Sequence, residues 1–102
     1  MNDRSRLEQA RVKMIRYRIL KTLDAGRPYP VGDGLLVEVL VDADLNVTQH
    51  EIRKALQYLN DKSFVKLDDK GTHWEARLLP AGVDYVENPS VVDMGITRPA
   101  EI

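Results

Sequence analysis

Five side chains in one short stretch carry the chemistry open to this chain. They are Gln49, His50, Arg53, Lys54 and Gln57, all within Thr48–Asn60, TQHEIRKALQYLN. Long hydrogen-bonding side chains of these types read base edges and bind phosphates. Helical spacing puts them on one face. Ile52, Ala55, Leu56 and Leu59 recur at i, i+3, i+4 and i+7 and form an apolar stripe on the other. Thr48 and Glu51 stand three apart, as in a capping box, where each satisfies an orphan amide of the first turn. A solvated helix face gives the same pattern, so the neighbourhood has to decide between the two.

Other chemistries find little support. There is no Cys, hence no disulfide framework, thiolate metal site or thiol nucleophile, which fits a reducing cytoplasm. His50 and His73 are the only imidazoles, and no carboxylate spacing around either suggests a metal site. Ser5, Ser63 and Ser90 have no convincing base nearby, and no Gly-rich phosphate loop is present. Asp68 and Asp69 read as turn residues rather than an acid/base pair. No enzymatic activity, metal or cofactor is expected. No apolar run approaches the roughly 18 residues of a membrane span, and the basic N-terminus lacks the apolar segment of a signal peptide.

The 102 residues, 43% hydrophobic and 30% charged, suit one soluble domain with a single core. Net charge is −1, but it is unevenly placed. Residues 1–30 hold eight cations against three acids, net +5. Residues 31–51 hold five acids and no Lys or Arg, net −5. The remainder is nearly balanced.

Several elements must position the Thr48 stretch. Asn2 or Asp3 can cap a first helix of about 22 residues running to Ala25. Gly26 suits the C′ position and Pro28 blocks continuation. That helix carries two apolar stripes on nearly opposite sides. Val12, Ile15, Ile19 and Leu23 form one; Leu7, Ala10, Met14 and Tyr17 form the other. A helix apolar on two faces is covered on two faces. Either the C-terminal segment folds back over the second stripe, or that stripe is a dimer or partner interface, with Tyr17 its best candidate. In GRPYPVG, Tyr29 and Val31 can pair briefly as a strand. Asp33 can cap a short helix, Gly34–Val41, burying Leu35, Leu36, Val39 and Leu40. The alternation in LLVEVLV also permits a strand. Asp42–Asn46 is a turn, with Leu45 or Val47 as a core plug.

After the Thr48 helix, Phe64, Val65 and Leu67 read as one strand. Trp74, Ala76, Leu78 and Leu79 read as its partner, with Asp69, Lys70 and Gly71 as the turn. Pro80 suits the first position of a last short helix, Ala81–Glu87, with Val83 and Val86 inward. Trp74 and Tyr85 are core candidates. Residues 1–88 are expected to form the domain. Residues 89–102 form an irregular tail, either disordered or an extended strap.

This order of elements resembles a winged helix-turn-helix domain. The fold class is then α+β, a three-helix core plus a two-stranded β-hairpin wing. The resemblance rests on IRYRILKTLDAG as first helix and GLLVEVLVDAD as second. TQHEIRKALQYLNDKSFVKL is the recognition helix entering the wing, and THWEARLLPAG the second wing strand. It covers residues 12–87, and its motifs are generic. The ending ARLLPAGVDYVEN is also similar to small winged-helix proteins of Mu-like phages. The resemblance implies a recognition helix for the major groove of double-stranded DNA and a wing on nearby phosphates. Base-edge reach then falls to Gln49, His50 and Arg53. Phosphate contact falls to Thr48, Lys54, Gln57, Lys70, Thr72 and His73.

The charge pattern pulls against this. The second helix lies in the acidic segment, the wing tip carries Asp68 and Asp69 beside a single Lys70, and the pI is about 6.1, where small DNA-binding modules often exceed 9. The basic first helix can supply the missing charge, and a dimer doubles it. Two functions therefore stand as expectations. One is a small DNA-binding regulator of phage or bacterial type, without cofactor, forming a homodimer through the first helix. The other is a protein-interaction adaptor using the Leu7/Met14/Tyr17 stripe or the acidic second helix.

Overall fold

The computed structural model describes residues 2–99. Four helices and a small antiparallel sheet follow one another: α1 (Asp3–Gly26), β1 (Val31–Gly32), α2 (Asp33–Asp42), α3 (Gln49–Asp61), β2 (Val65–Asp69), β3 (Trp74–Leu78) and α4 (Pro80–Glu87). The class is α+β. The sheet has three strands in the order β1-β3-β2. The expected hairpin is β2–β3, with Val65 opposite Leu78 and Asp69 opposite Trp74. Its other edge is closed by β1, where Val31 pairs with Ala76. Tyr29 stays outside the sheet and exposed.

Asn2 caps α1 by accepting a hydrogen bond from the Ser5 amide at 2.9 Å. The helix runs one residue further than expected. Gly26 is its last residue rather than C′, and the Arg27 amide closes it on the Asp24 carbonyl at 3.2 Å. Of the first stripe, Ile15, Ile19 and Leu23 are buried, joined by Leu20, but Val12 is exposed. The core begins at Ile15, so the first three turns of α1 stand beyond it.

The second element is a helix, and its buried arc is narrower than expected. Leu36 and Leu40 are buried, whereas Leu35 is 58% and Val39 37% exposed. The reason is Asp33. It sits inside the helix as the first residue, with Gly32 at the cap position, and its carboxylate is buried. Residues 33, 36 and 40 then define the inward line, at i, i+3 and i+7, and rotate Leu35 and Val39 outward.

Helices α2 and α3 end alike. Asp44 and Ser63 adopt left-handed backbone, φ 64° and 61°. The next amide returns to the helix in each: Leu45 to the Leu40 carbonyl at 3.0 Å, Phe64 to that of Leu59 at 2.9 Å. Both are Schellman closures whose following apolar residue packs on the core. Neither uses the usual glycine, at a cost of about 1 kcal/mol each.

Pro80 opens α4 at its first position, as expected. Its inward residues are Gly82 and Tyr85, while Val83 and Val86 are half-buried. Gly82 lies against the Phe64 carbonyl, and a Cβ there would collide with it.

Residues 89–99 of the tail form a strap, and 100–102 lie outside the described residues. Ile96 is buried among the core residues at 6% exposure. The Thr97 amide donates to the Lys13 carbonyl at 3.3 Å. Arg98 crosses the Tyr85 ring at 3.9 Å and donates to the carbonyls of Tyr85, Asn88, Pro89 and Val91. Replacing Ile96 with Ala is therefore expected to cost about 2 kcal/mol in a urea unfolding series. A loss below about 0.5 kcal/mol, the scale of a surface change, shows the strap is not part of the cooperative unit.

Candidate nucleic-acid interface

The capping box at the start of α3 is complete. The Thr48 hydroxyl accepts from the Glu51 amide at 3.2 Å, and Glu51 accepts from the Thr48 amide at 3.1 Å. Arg11 of α1 binds the Glu51 carboxylate and also donates to the Leu45 and Asn46 carbonyls, each at 2.9 Å. The guanidinium hydrogen bond holds the Glu51 carboxyl below its ordinary pKa, against an opposing push from burial. Thr48 thus has its hydroxyl engaged in fixing the helix start. Ile52, Ala55, Leu56 and Leu59 form the buried underside, as their spacing predicts.

The solvent side of α3 divides in two. His50, Lys54 and Gln57 are exposed along its crest. Gln49 and Arg53 lie on the flank toward α2 and the sheet, where both reach Asp33. Gln49 Nε2 donates to Asp33 Oδ2 at 3.1 Å, and Arg53 Nε donates to the same oxygen at 2.7 Å. The Trp74 amide donates to Asp33 Oδ1 at 3.3 Å. The Arg53 guanidinium also lies over the Trp74 ring at 4.7 Å. Trp74 is accordingly half-buried beneath an arginine rather than deep in the core. Burial pushes the Asp33 carboxyl up, but Arg53, the Trp74 amide and Gln49 together outweigh it, and its pKa lies below the usual value.

The wing places its candidates apart from that crest. Gly71 turns the hairpin with φ 86°, and its amide donates to Asp69 Oδ1 at 2.8 Å. Lys70 and Thr72 are exposed at the tip. His73 is drawn inward by two neighbours: Nδ1 lies 3.1 Å from the Thr72 hydroxyl and Nε2 3.0 Å from Glu75.

The second stripe of α1 splits. Tyr17 packs partly buried on the core, with Val86, Pro89, Arg98 and Pro99 around it. Met14 is half-buried, while Leu7 is 71% exposed and Ala10 is open. The chain's own tail thus covers the lower end of the stripe and leaves the upper end bare. Sequence reasoning missed Asp33 as an anchor and the tail residues Asp93, Ile96 and Arg98. The one signal for Asp33 was an acid bordered by an otherwise apolar run. Among the described residues, no helix is long and apolar enough to cross a membrane.

Searches of protein-family models, curated proteins and solved structures find no match to this chain.

Two stability measurements follow from Asp33. Arg53→Ala strips a buried carboxylate of its cation but leaves two neutral donors, so a loss of about 2 kcal/mol, the scale of a hydrogen bond to a charged group, is expected. Lys54→Ala, one residue on, should stay within about 0.5 kcal/mol of wild type. Equal effects in urea unfolding refute a structural role for Arg53. The second measurement is pH dependence. The stability that Asp33 contributes is fully present above its unfolded pKa of about 3.9 and is lost as pH falls through its lower folded value. Asp33→Asn should be less stable at neutral pH and have a shallower acid limb between about pH 5 and pH 2. Parallel limbs for the two proteins contradict the depressed carboxyl.

Proposed function

We propose that this chain is a winged-helix protein that binds double-stranded DNA and regulates transcription, with α3 as the major-groove element. The observation that carries this reading is the crest of α3. His50, Lys54 and Gln57 stand exposed on a helix capped at its start, buried along its underside and followed at once by a hairpin. The order of three helices with an intervening short strand, then two paired strands, supports the winged-helix assignment.

In this mechanism no chemical step is performed. The capping box and the Arg11–Glu51 pair hold the helix start. Asp33 fixes Gln49 and Arg53 beside the crest. His50, Lys54 and Gln57 enter the groove first. Arg53 has its Nε committed to Asp33, and its Nη1 and Nη2 make no other hydrogen bond among the described residues. Those two nitrogens form the donor pair suited to guanine. Lys70 and Thr72 at the wing tip face a phosphate strand, and Asp69 beside them reduces the gain.

A second reading is favoured by one observation. Asp68, Asp69 and Glu75 place acids on the hairpin, and the Leu7–Met14 stripe of α1 faces away from the core. A protein partner then takes the place of DNA.

The two readings are separated by an amide NMR titration with mixed-sequence duplex DNA, at low salt and near physiological salt. DNA binding gives shifts on His50, Arg53, Lys54, Gln57 and the 69–73 turn that fade steeply with salt. Lys54→Ala should weaken binding and lower the salt slope by about 0.9. Because this variant leaves the Asp33 anchor intact, weaker binding is not a folding defect. Absence of shifts at low salt, or an unchanged affinity in Lys54→Ala, overturns the α3 reading.

A further inference from the structure

The first three turns of α1 form a cationic arm with an apolar ridge. Among the described residues the first buried side chain is Ile15, and Asp3–Met14 spans about 18 Å of helix. Leu7, Ala10 and Met14 recur at i, i+3 and i+7 on the side opposite Ile15, Ile19 and Leu23. On a helical wheel Arg4, Arg11 and Arg18 flank this ridge on one side, Arg6 and Lys13 on the other. Arg11 is committed to Glu51, and Arg4 meets Glu8 only across an exposed 3.7 Å contact, which holds little energy.

This ridge is ill suited to pairing with its own twin. Two α1 ridges laid together bring cation against cation along both flanks, the arrangement that coiled coils use to exclude a partner. It calls for an apolar surface bordered by acids, and the chain carries one. On α2, Leu35 and Val39 are exposed beside Glu38 and Asp42, which are also exposed, while Arg18 and Lys21 of the same chain's α1 border Val39 on its other side. No Lys or Arg lies anywhere in residues 31–51. The exposed apolar side chains of α2 and the outer ridge of α1 thus match in character and oppose in charge.

We propose that two copies of this chain pair reciprocally, the Asp3–Met14 arm of each lying across the Leu35/Glu38/Val39/Asp42 face of α2 in the other. A two-fold axis makes both contacts from the same pair of patches, so the assembly closes at two. The pairing refines the expected dimer through the first helix: α1 meets α2, not α1. It does not depend on DNA binding, since the α3 crest takes no part.

A charge swap tests it by sedimentation equilibrium at low salt. Wild type is expected to be dimeric. Glu38→Arg/Asp42→Arg should be monomeric, because arm and target are then both cationic. Arg4→Glu/Arg6→Glu should be monomeric, because both are then acidic. Mixing the two variants restores both contacts and should give a one-to-one heterodimer. All four substituted side chains are exposed, and a wild-type amide spectrum in each variant excludes a folding defect. A monomeric wild type overturns the proposal and leaves the arm to an acidic helix of another protein. A dimer that survives Glu38→Arg/Asp42→Arg overturns it too, in favour of an α1-to-α1 contact.

Discussion

The buried carboxylate of Asp33 is the constraint on which the working face depends. It lies at the first residue of α2, and its oxygens take donors from α3 and β3. Three elements distant in sequence are thereby fixed at one point. Burying a charge is costly unless it is paired and hydrogen-bonded, and here three donors surround it. An apolar contact in the same place would pack the same elements with less directional control. The hydrogen bonds instead fix how α3 is rotated about its own axis. That rotation decides that His50, Lys54 and Gln57 form the crest and that Gln49 and Arg53 form the flank.

A second polar anchor holds the opposite end of the body. Asp93 in the strap accepts from the Tyr58 hydroxyl at 2.5 Å and from the Gly95 amide at 2.9 Å, and Lys62 lies 3.4 Å away. Burial pushes its carboxyl up, while Tyr58, the Gly95 amide and Lys62 pull it below the ordinary value. Arg16 stacks on the Tyr58 ring at 3.7 Å and donates to the Gly95 carbonyl at 2.8 Å. Gly95 is required there because a side chain would strike the Tyr58 hydroxyl. The strap thus ties α1 to the far end of α3, as Asp33 ties the near end of α3 to the sheet. Between the two anchors α3 has little freedom to roll.

The sequence showed what is local and concealed what is not. The Thr48/Glu51 spacing, the Ile52–Leu59 stripe, the Asp69–Gly71 turn and Pro80 at a helix start are short-range patterns, and each reads directly. Asp33 misled for the same reason. An Asp ahead of an apolar run fits a cap, and nothing nearby reveals that Arg53 and Trp74 will draw its carboxylate under the helix. The same inward turn of Asp33 swings Leu35 and Val39 out to solvent, although their spacing alone places them inward. The tail offered no period at all. Its order comes from Arg98 and Asp93 satisfying carbonyls and side chains of distant elements. Tyr17 and Leu7 belong to one stripe in sequence, yet only one end of it meets the strap.

Charge placement now has a structural meaning. Part of the +5 of the first 30 residues is spent inside the fold. Arg11 and Arg16 are consumed in internal contacts, and Arg4, Arg6 and Lys13 follow the outer ridge of α1. The −5 of residues 31–51 divides in the same way. Asp33 and Glu51 are anchors, while Glu38, Asp42 and Asp44 remain on the surface around Leu35 and Val39. The internal pairs cancel, and what is left is a cationic ridge on one helix and an acidic patch on the next. Charges that only kept the protein soluble would need no such segregation, nor apolar side chains beside them. The α3 crest, by contrast, carries a single cation, Lys54, which has no ion-pair partner among the described residues and stands beside His50 and Gln57. Under the proposed reading, recognition through α3 rests on shape and hydrogen bonding more than on the helix's own field.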